Sequence, residues 1–431
     1  MDQTITPHPV HSVDRLVYLV TQDSHFSSFL SRQITHFGYY VQQVRDLSSL
    51  ERLIADHNSV AILVDIPAEA GETGGGRFIE EFRPLQQISS RLIFTSDRDS
   101  QAIRLKSIQA GGTAFFTKPL NIVSLVDRLD SLNRTILPPQ ASRVLIVEEQ
   151  PSVASYYQMV LRMAGMESQI VQNPGSLLEQ LQDYHPELIL MDTFTSEIHA
   201  LDLARVIRQI DDYVSVPIIF LFGEDDFDKR IEALDVGGDD FLVKPIKASH
   251  LISVVRSRLE RSKKLRSYMV RDSLTNLLNH TTFRSLLSQE INRSRRQNTE
   301  LALAMLDIDH FKQVNDRYGH AVGDSVLKGL SRLLQQRLRN YDNIGRYGGD
   351  ELVALLVGCA PYQAQKIMDE IRTHFSEIQF CPEQSRPLTL TFSCGISVFP
   401  KYQSAEALSD SADQALYRAK AQGRDRVVVI A

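Results

Sequence analysis

The chain of 431 residues carries only three cysteines, Cys359, Cys381 and Cys394. Their spacing suits no metal site and an odd number gives no disulfide framework, so they read as buried or incidental thiols in a reducing compartment. No apolar stretch approaches the roughly 20 residues that span a bilayer, so membrane insertion is not expected. Positive charge is not in excess either. The net charge is -6, which argues against a nucleic-acid binder that relies on bulk charge. The opening residues MDQTITPHPVHSVDR have neither the basic nor the apolar region of a signal peptide, so a cytoplasmic protein is expected. What is present is 43% hydrophobic and 23% charged residues, the balance of globular domains with real cores. The length suits about three of them.

Two segments repeat one plan. RLVYLV (15–20) and RVLIVEE (143–149) are short apolar runs, each followed by an amphipathic helical stretch. VAILVD (60–65) and ELILMD (187–192) both end on aspartate, and GGTAFFTKP (111–119) and GGDDFLVKP (237–245) both close on Lys-Pro. RLIFTS (91–96) and VPIIFLF (216–222) are further buried-strand candidates. Alternating apolar runs and helices predict βα repeats around parallel sheets buried on both faces. The prolines of ILPPQAS (136–142) mark the break between the copies. Leu251, Val255 and Leu259 recur with charges between them, which predicts a long exposed helix connecting to a third segment.

The third segment differs. LALAMLDID (301–309) is a strand ending in acids and SVLKGLSRLLQQRL (325–338) has helical spacing. NIGRY and ELVALLV flank two glycines as a hairpin, PYQAQKIMDEIRTHF (361–375) is a helix, and LTLTFSCGISVF (388–399) another strand. The order βαββαβ is the split-βαβ plan, in which the first and third strands pair antiparallel. That pairing sets Asp307 beside Asp350 and Glu351. Acids gathered without basic partners repel unless a cation sits between them. Oxygen-only ligands favour Mg²⁺, usually completed by substrate phosphates, and glycine lets a backbone approach a phosphate closely. Asp307, Asp350, Glu351 and the Gly348-Gly349 turn thus read as a nucleotide-plus-metal site.

RYGGDEL resembles the GGDEF signature of the diguanylate cyclases, which join two GTP into cyclic di-GMP. The likeness extends from DSLTNLLNH (272–280) through DIDHFKQVNDRYGHAVGD (307–324) to LYRAKAQGRDRV (416–427). The two repeats resemble receiver domains of response regulators, so the arrangement is similar to the PleD type: receiver, receiver, cyclase. The resemblance makes Asp307, the Ile308 carbonyl, Asp350 and Glu351 ligands of Mg²⁺, with Mn²⁺ an alternative ion. Asp350 and Glu351 would be catalytic, Asp350 helping to activate the attacking 3′-hydroxyl. Asn315 and Asp324 match guanine-binding positions, and Lys312, Lys420 and Arg424 match residues that hold the triphosphate. Facing domains would each hold one GTP, which implies a homodimer. Leu352 stands where the signature has phenylalanine, and Asn276 and His280 replace a glycine and an arginine of the family's DxLTGLxNR. RNYD (339–342) matches the inhibitory RxxD motif, in which Arg339 and Asp342 would take up product, a helix-end ion pair being the plain structural alternative.

A receiver needs an acidic pair for metal, an acceptor aspartate, a hydroxyl and a lysine. The first copy keeps Asp65, Thr95 and Lys118, but Thr21 and Gln22 replace the acidic pair and Asp23 comes one position late. The second keeps Asp192, Lys244 and the pair Glu148 and Glu149, with Phe222 at the hydroxyl position. Metal offsets more charge in phosphoryl transfer than one hydroxyl does, so Asp192 is preferred to Asp65 as phosphoacceptor. The first copy then reads as a degenerate adaptor.

The expectation is an α/β multidomain chain. It comprises two flavodoxin-like receivers at 13–135 and 142–262 and a ferredoxin-like, nucleotidyl-cyclase-type GGDEF domain at 263–431. GTP is the expected substrate, cyclic di-GMP the product and inhibitor, and a sensor histidine kinase the upstream partner. The alternative is a catalytically silent cyclic di-GMP receptor signalling through its receivers.

Overall fold

The computed structural model describes residues 15–56, 59–67, 71–87, 91–134, 141–193, 198–210, 212–223, 237–380 and 387–430. Cys381, the opening residues and most of the ILPPQAS break lie outside the described residues. The chain divides into two compact bodies, one formed by 138–270 and the other by 1–137 together with 271–431.

The second body is a doubly wound parallel sheet. Its strands β6 (Arg143–Val147), β7 (Glu167–Val171), β8 (Leu188–Asp192), β9 (Ile218–Phe222) and β10 (Asp240–Val243) lie in the order β10-β9-β8-β6-β7. β8 and β9 are buried at every position, as an apolar run covered on both faces requires. The helix Ala248–Val270 was expected to be exposed. Its Leu251, Val255 and Leu259 pack into the core with Val160 and Leu190, while residues between and after them, such as Arg256, Glu260, Leu265 and Met269, face water.

The other body contains two sheets. β1 (Leu16–Val20), β2 (Tyr40–Val44), β3 (Ala61–Asp65), β4 (Leu92–Ser96) and β5 (Gly112–Thr117) repeat the parallel plan in the order β2-β1-β3-β4-β5. The other sheet runs β12-β13-β11-β14-β15, from β11 (Leu301–Ile308), β12 (Asn343–Arg346), β13 (Glu351–Val357), β14 (Phe392–Phe399) and β15 (Val427–Ile430). β11 pairs antiparallel with both β13 and β14, as the split-βαβ plan predicts. The plan was incomplete, however, because the helix Ala405–Ala421 returns the chain to add β15 parallel to β14. The strand expected from 388 begins only at Phe392, since Leu388 forms an isolated bridge to Phe380.

These two sheets share one continuous core. Leu30, Ile34, Val123 and Val126 from the first α/β layer join Leu330, Leu333 and Phe380. Polar pins surround it: Arg332 Nη1 donates to the Val123 carbonyl at 3.1 Å and its guanidinium pairs with Asp127 and Asp130. Gln33, fully buried, donates to the Glu377 carbonyl at 3.0 Å and accepts from Gln379 N–H at 2.8 Å.

Candidate active site

The hairpin that opens the site is closed by two bonds to one acceptor. The Tyr347 and Gly348 N–H groups both donate to the Glu351 carbonyl, at 2.9 and 3.3 Å. Arg346, whose role the sequence did not disclose, locks the turn from behind. Its guanidinium reaches both Asp272 oxygens at 3.0 and 3.1 Å and donates to the carbonyls of Gly348 and Gly349. Burial works against the Asp272 charge, but bonds from Thr275 and Arg346 outweigh it and hold this carboxyl below its ordinary range. A Cβ on Gly348 would stand 2.6 Å from Glu351 Oε2, so a side chain there would displace the end of this carboxylate.

The β11–β13 ladder sets Asp307 opposite Glu351, with Asp350 immediately before the strand. Burial, then the charges of Asp350 and Asp309, push the Asp307 carboxyl up despite a 2.7 Å ion pair with Lys420. Glu351 is raised by burial and by the charges of Asp307 and Asp350. The acids are thus under-compensated, an arrangement relieved by a cation with oxygen ligands. A divalent hard metal fits this donor set. Ile308, the last residue of β11, is buried beside them.

Asp309 lies just beyond the end of β11. It is 3% exposed and accepts from Thr391 Oγ1, Ser393 Oγ and the Asp425 N–H, at 2.7, 2.7 and 3.1 Å. These bonds fasten the loop after Ala421 to β14. Arg424 and Asp425 there adopt left-handed backbone at φ 63° and 47°, a strained geometry for non-glycine residues that this anchoring sustains. Lys420 and Arg424 are both carried by this corner, whereas Lys312 is exposed on the helix Phe311–Tyr318.

Asn315 lies at the junction of that helix with His320–Arg337. Its Oδ1 is buried without a hydrogen-bond partner, and a Cβ on Gly323 would come within 2.0 Å of it. The glycine therefore leaves room beside this acceptor. Asp324 follows directly and is exposed.

Of the substituted positions, Asn276 adopts φ 57°, which explains a glycine there in related chains, since asparagine tolerates the left-handed region best among other residues. His280 packs its ring edge-on against Tyr347 at 4.4 Å, and Leu352 is fully buried. In RNYD, the Asp342 oxygens accept from the Arg339 and Val357 N–H groups at 3.0 and 3.2 Å, so this acid shapes the loop. The Arg339 side chain is exposed, donates to the Tyr341 hydroxyl at 2.6 Å and lies over the Tyr341 ring.

The two parallel sheets present different pockets at their carboxyl ends. In the first, Asp65 is met by Thr21 Oγ1 at 2.8 Å, Thr95 Oγ1 at 3.1 Å and Lys118 Nζ at 2.7 Å. A hydroxyl thus holds the carboxylate where the second pocket has Glu148. Asp23 is spent on capping its helix, accepting from His25 and Phe26 N–H. In the second pocket Lys244 Nζ bridges Glu148 at 3.0 Å and Asp192 at 2.9 Å, with Glu149 next in sequence and half-buried. The ladder sets Leu221, rather than Phe222, opposite Asp192, as it sets Thr95 opposite Asp65. Phe222 is fully buried among Phe220 and Phe241, and no hydroxyl stands at either position.

Residues 269–426 match the family "Diguanylate cyclase, GGDEF domain", and residues 144–256 match the response regulator receiver domain. The chain is 27% identical over 369 residues to the response regulator PleD of Caulobacter vibrioides, covering 77% of this chain and 80% of that protein. It is 43% identical over 160 residues to the diguanylate cyclase DgcP of Pseudomonas aeruginosa, covering 37% of this chain and 23% of that protein. The GGDEF domain of DgcB from Caulobacter crescentus, solved with c-di-GMP, is 31% identical with a TM-score of 0.36, over 37% of this chain and 93% of that one. The chain thus carries a response-regulator receiver domain at 144–256 and, after it, a GGDEF domain of the diguanylate cyclases at 269–426.

Proposed function

We propose that this diguanylate cyclase condenses two GTP into cyclic di-GMP as a homodimer, each GGDEF domain presenting one nucleotide to its partner. The observation that carries the reading is the under-compensated acid cluster, Asp307 cross-paired with Glu351 and preceded by Asp350. Asp307, the Ile308 carbonyl, Asp350 and Glu351 would hold Mg²⁺ (or Mn²⁺), which offsets triphosphate charge when bound.

Asn315 and Asp324 accept from the guanine edge, and Lys312, Lys420 and Arg424 hold phosphate oxygens. Gly348 and Gly349 let the turn approach the nucleotide. Asp350 takes the proton of the partner nucleotide's 3′-hydroxyl. The 3′-oxygen forms a bond to the α-phosphorus, the bond to the β-phosphate oxygen breaks, and pyrophosphate leaves. A second such step closes the ring. Lys420 leaves Asp307 for the triphosphate as the substrate enters.

Regulation follows the two pockets. Asp192, with Glu148, Glu149 and Lys244, accepts phosphate from a sensor histidine kinase in the cytoplasm, and the layer at 13–135 is a degenerate receiver serving as adaptor. Domain limits at 142–262 and 263–431 complete the assignment. Product returns to Arg339 and limits the rate. Incubating the purified full chain with GTP and Mg²⁺ tests the core of this. Cyclic di-GMP and pyrophosphate should accumulate, whereas binding of cyclic di-GMP without turnover would make the chain a silent receptor.

A further inference from the structure

Away from the cyclase site, one polar cluster sits on the seam between the first α/β layer and the GGDEF body. His36 caps the helix Ser24–Thr35 and is 6% exposed. Facing it are His374 and Glu377, on the last turn of the helix Pro361–Glu377. One ligating atom from each residue can be chosen so that all lie within 4.8 Å of one another. His36 Nε2 is 3.5 Å from Glu377 Oε2, and the two imidazole centroids are 5.3 Å apart.

His36 Nε2 and His374 Nδ1 are buried without a hydrogen-bond partner. Buried polar atoms are ordinarily satisfied, so two on facing rings call for a common partner. A proton is a poor one. Burial, then His374, Arg337 and Arg32, hold the His36 imidazole down at about 4 against the pull of Glu377. His374 is also lowered, by burial first and then by Arg337. Neutral imidazoles are the form that binds metal.

We propose that His36, His374 and Glu377 form a site for a divalent transition ion of the Zn²⁺ type, which staples the N-terminal layer to the cyclase body. Two nitrogens and one carboxylate with a position left for water match zinc better than Mg²⁺. The 3.5 Å separation of His36 and Glu377 is close to the ~3.4 Å edge of a tetrahedron with ~2.1 Å bonds. The other pairs lie within 4.8 Å, a gap that rotation of the half-buried His374 ring would have to close on binding. The carbonyl end of the helix faces the site and favours a cation, which together with Glu377 offsets Arg32 and Arg337. The backbone is already fixed for it, since Gln33 bonds the main chain at Glu377 and Gln379.

The test uses the full chain, stripped by chelator and kept in excess Mg²⁺. Zn²⁺ is titrated against a chromophoric chelator, and Co²⁺ is used as a spectroscopic substitute. One equivalent of Zn²⁺ should bind, Co²⁺ should give the visible bands of a four-coordinate ion, and the melting temperature should rise. His36→Gln, His374→Gln and Glu377→Gln should each weaken Zn²⁺ by at least about 100-fold, beyond the loss expected for an outer-sphere change. Asp307→Asn should leave it unchanged. If His36→Gln fails to fold, the other two variants decide. No stoichiometric Zn²⁺, or an equivalent that survives His374→Gln but is lost with Asp307→Asn, would overturn the proposal.

Discussion

Gly323→Ala separates binding from folding at a single methyl group. The new Cβ would lie 2.0 Å from Asn315 Oδ1, 3.0 Å from its Cγ and 3.1 Å from Phe311 Cζ. The nearest atom ends a flexible side chain, so Asn315 rotates away rather than breaking the helix junction. Gly323 lies within the helix His320–Arg337, where alanine is favoured over glycine by up to about 1 kcal/mol, which offsets the small displacement of Phe311. Stability should therefore stay within about 1 kcal/mol, or a few degrees in melting temperature. Guanine contacts are another matter. Losing one or two neutral hydrogen bonds at about 1 kcal/mol each raises KM for GTP about 5- to 30-fold, with kcat little changed. Initial rates against GTP, beside thermal melts of both proteins, measure the two effects. An unchanged KM would refute the role of Asn315, and a melting temperature lowered by more than about 10 °C would refute the reasoning on space.

Asp350→Asn removes ligand charge at constant shape and should lower kcat at least about 10³-fold with an unaltered melt; ordinary product formation would refute the metal assignment. Arg339→Ala should weaken product inhibition about 10- to 150-fold, the worth of a charged hydrogen bond, while the initial rate holds; inhibition as strong as the parent's would count against Arg339. Beryllium fluoride should raise activity and dimer fraction through Asp192, so Asp192→Asn should abolish the response and Asp65→Asn should leave it; the reverse would identify Asp65. The raised carboxyls of Asp307 and Glu351 cost stability as pH climbs from near 4, because the folded chain there keeps protons that the unfolded chain has released. The rise in melting temperature on adding Mg²⁺ should thus be larger at pH 7 than at pH 4.5 and flattened by Asp307→Asn, and equal rises would refute the coupling.

The parallel sheets and the acid-bearing hairpin were legible because their signals are local: apolar runs of strand length, and glycines next to carboxylates. What escaped depended on distant partners. Arg346 looked like any flanking cation until Asp272 met it, and Asp309 looked like its neighbour Asp307. Burial against Thr391 and Ser393 makes Asp309 an anchor, whereas the β13 ladder makes Asp307 a site residue. Register escaped as well. Phe222 is expected at the hydroxyl position that Thr95 fills in the first copy, but pairing with β8 selects Leu221. The i, i+4 recurrence of Leu251, Val255 and Leu259 gave the helix and its apolar face but not that face's partner, because periodicity does not say what a face packs against.

The shared core of the first and last thirds has a consequence for biosynthesis. The apolar surface around Leu30, Val123 and Val126 is complete once the helix Ile122–Arg134 leaves the ribosome, yet its cover at Leu330 and Leu333 follows about 200 residues later. At about 5–20 residues per second, that surface waits on the order of 10–40 s, while 138–270 is made and folds in the interval. The N-terminal layer should therefore stay open to chaperones and proteases during synthesis, and slowing translation of the final third should lengthen that exposure.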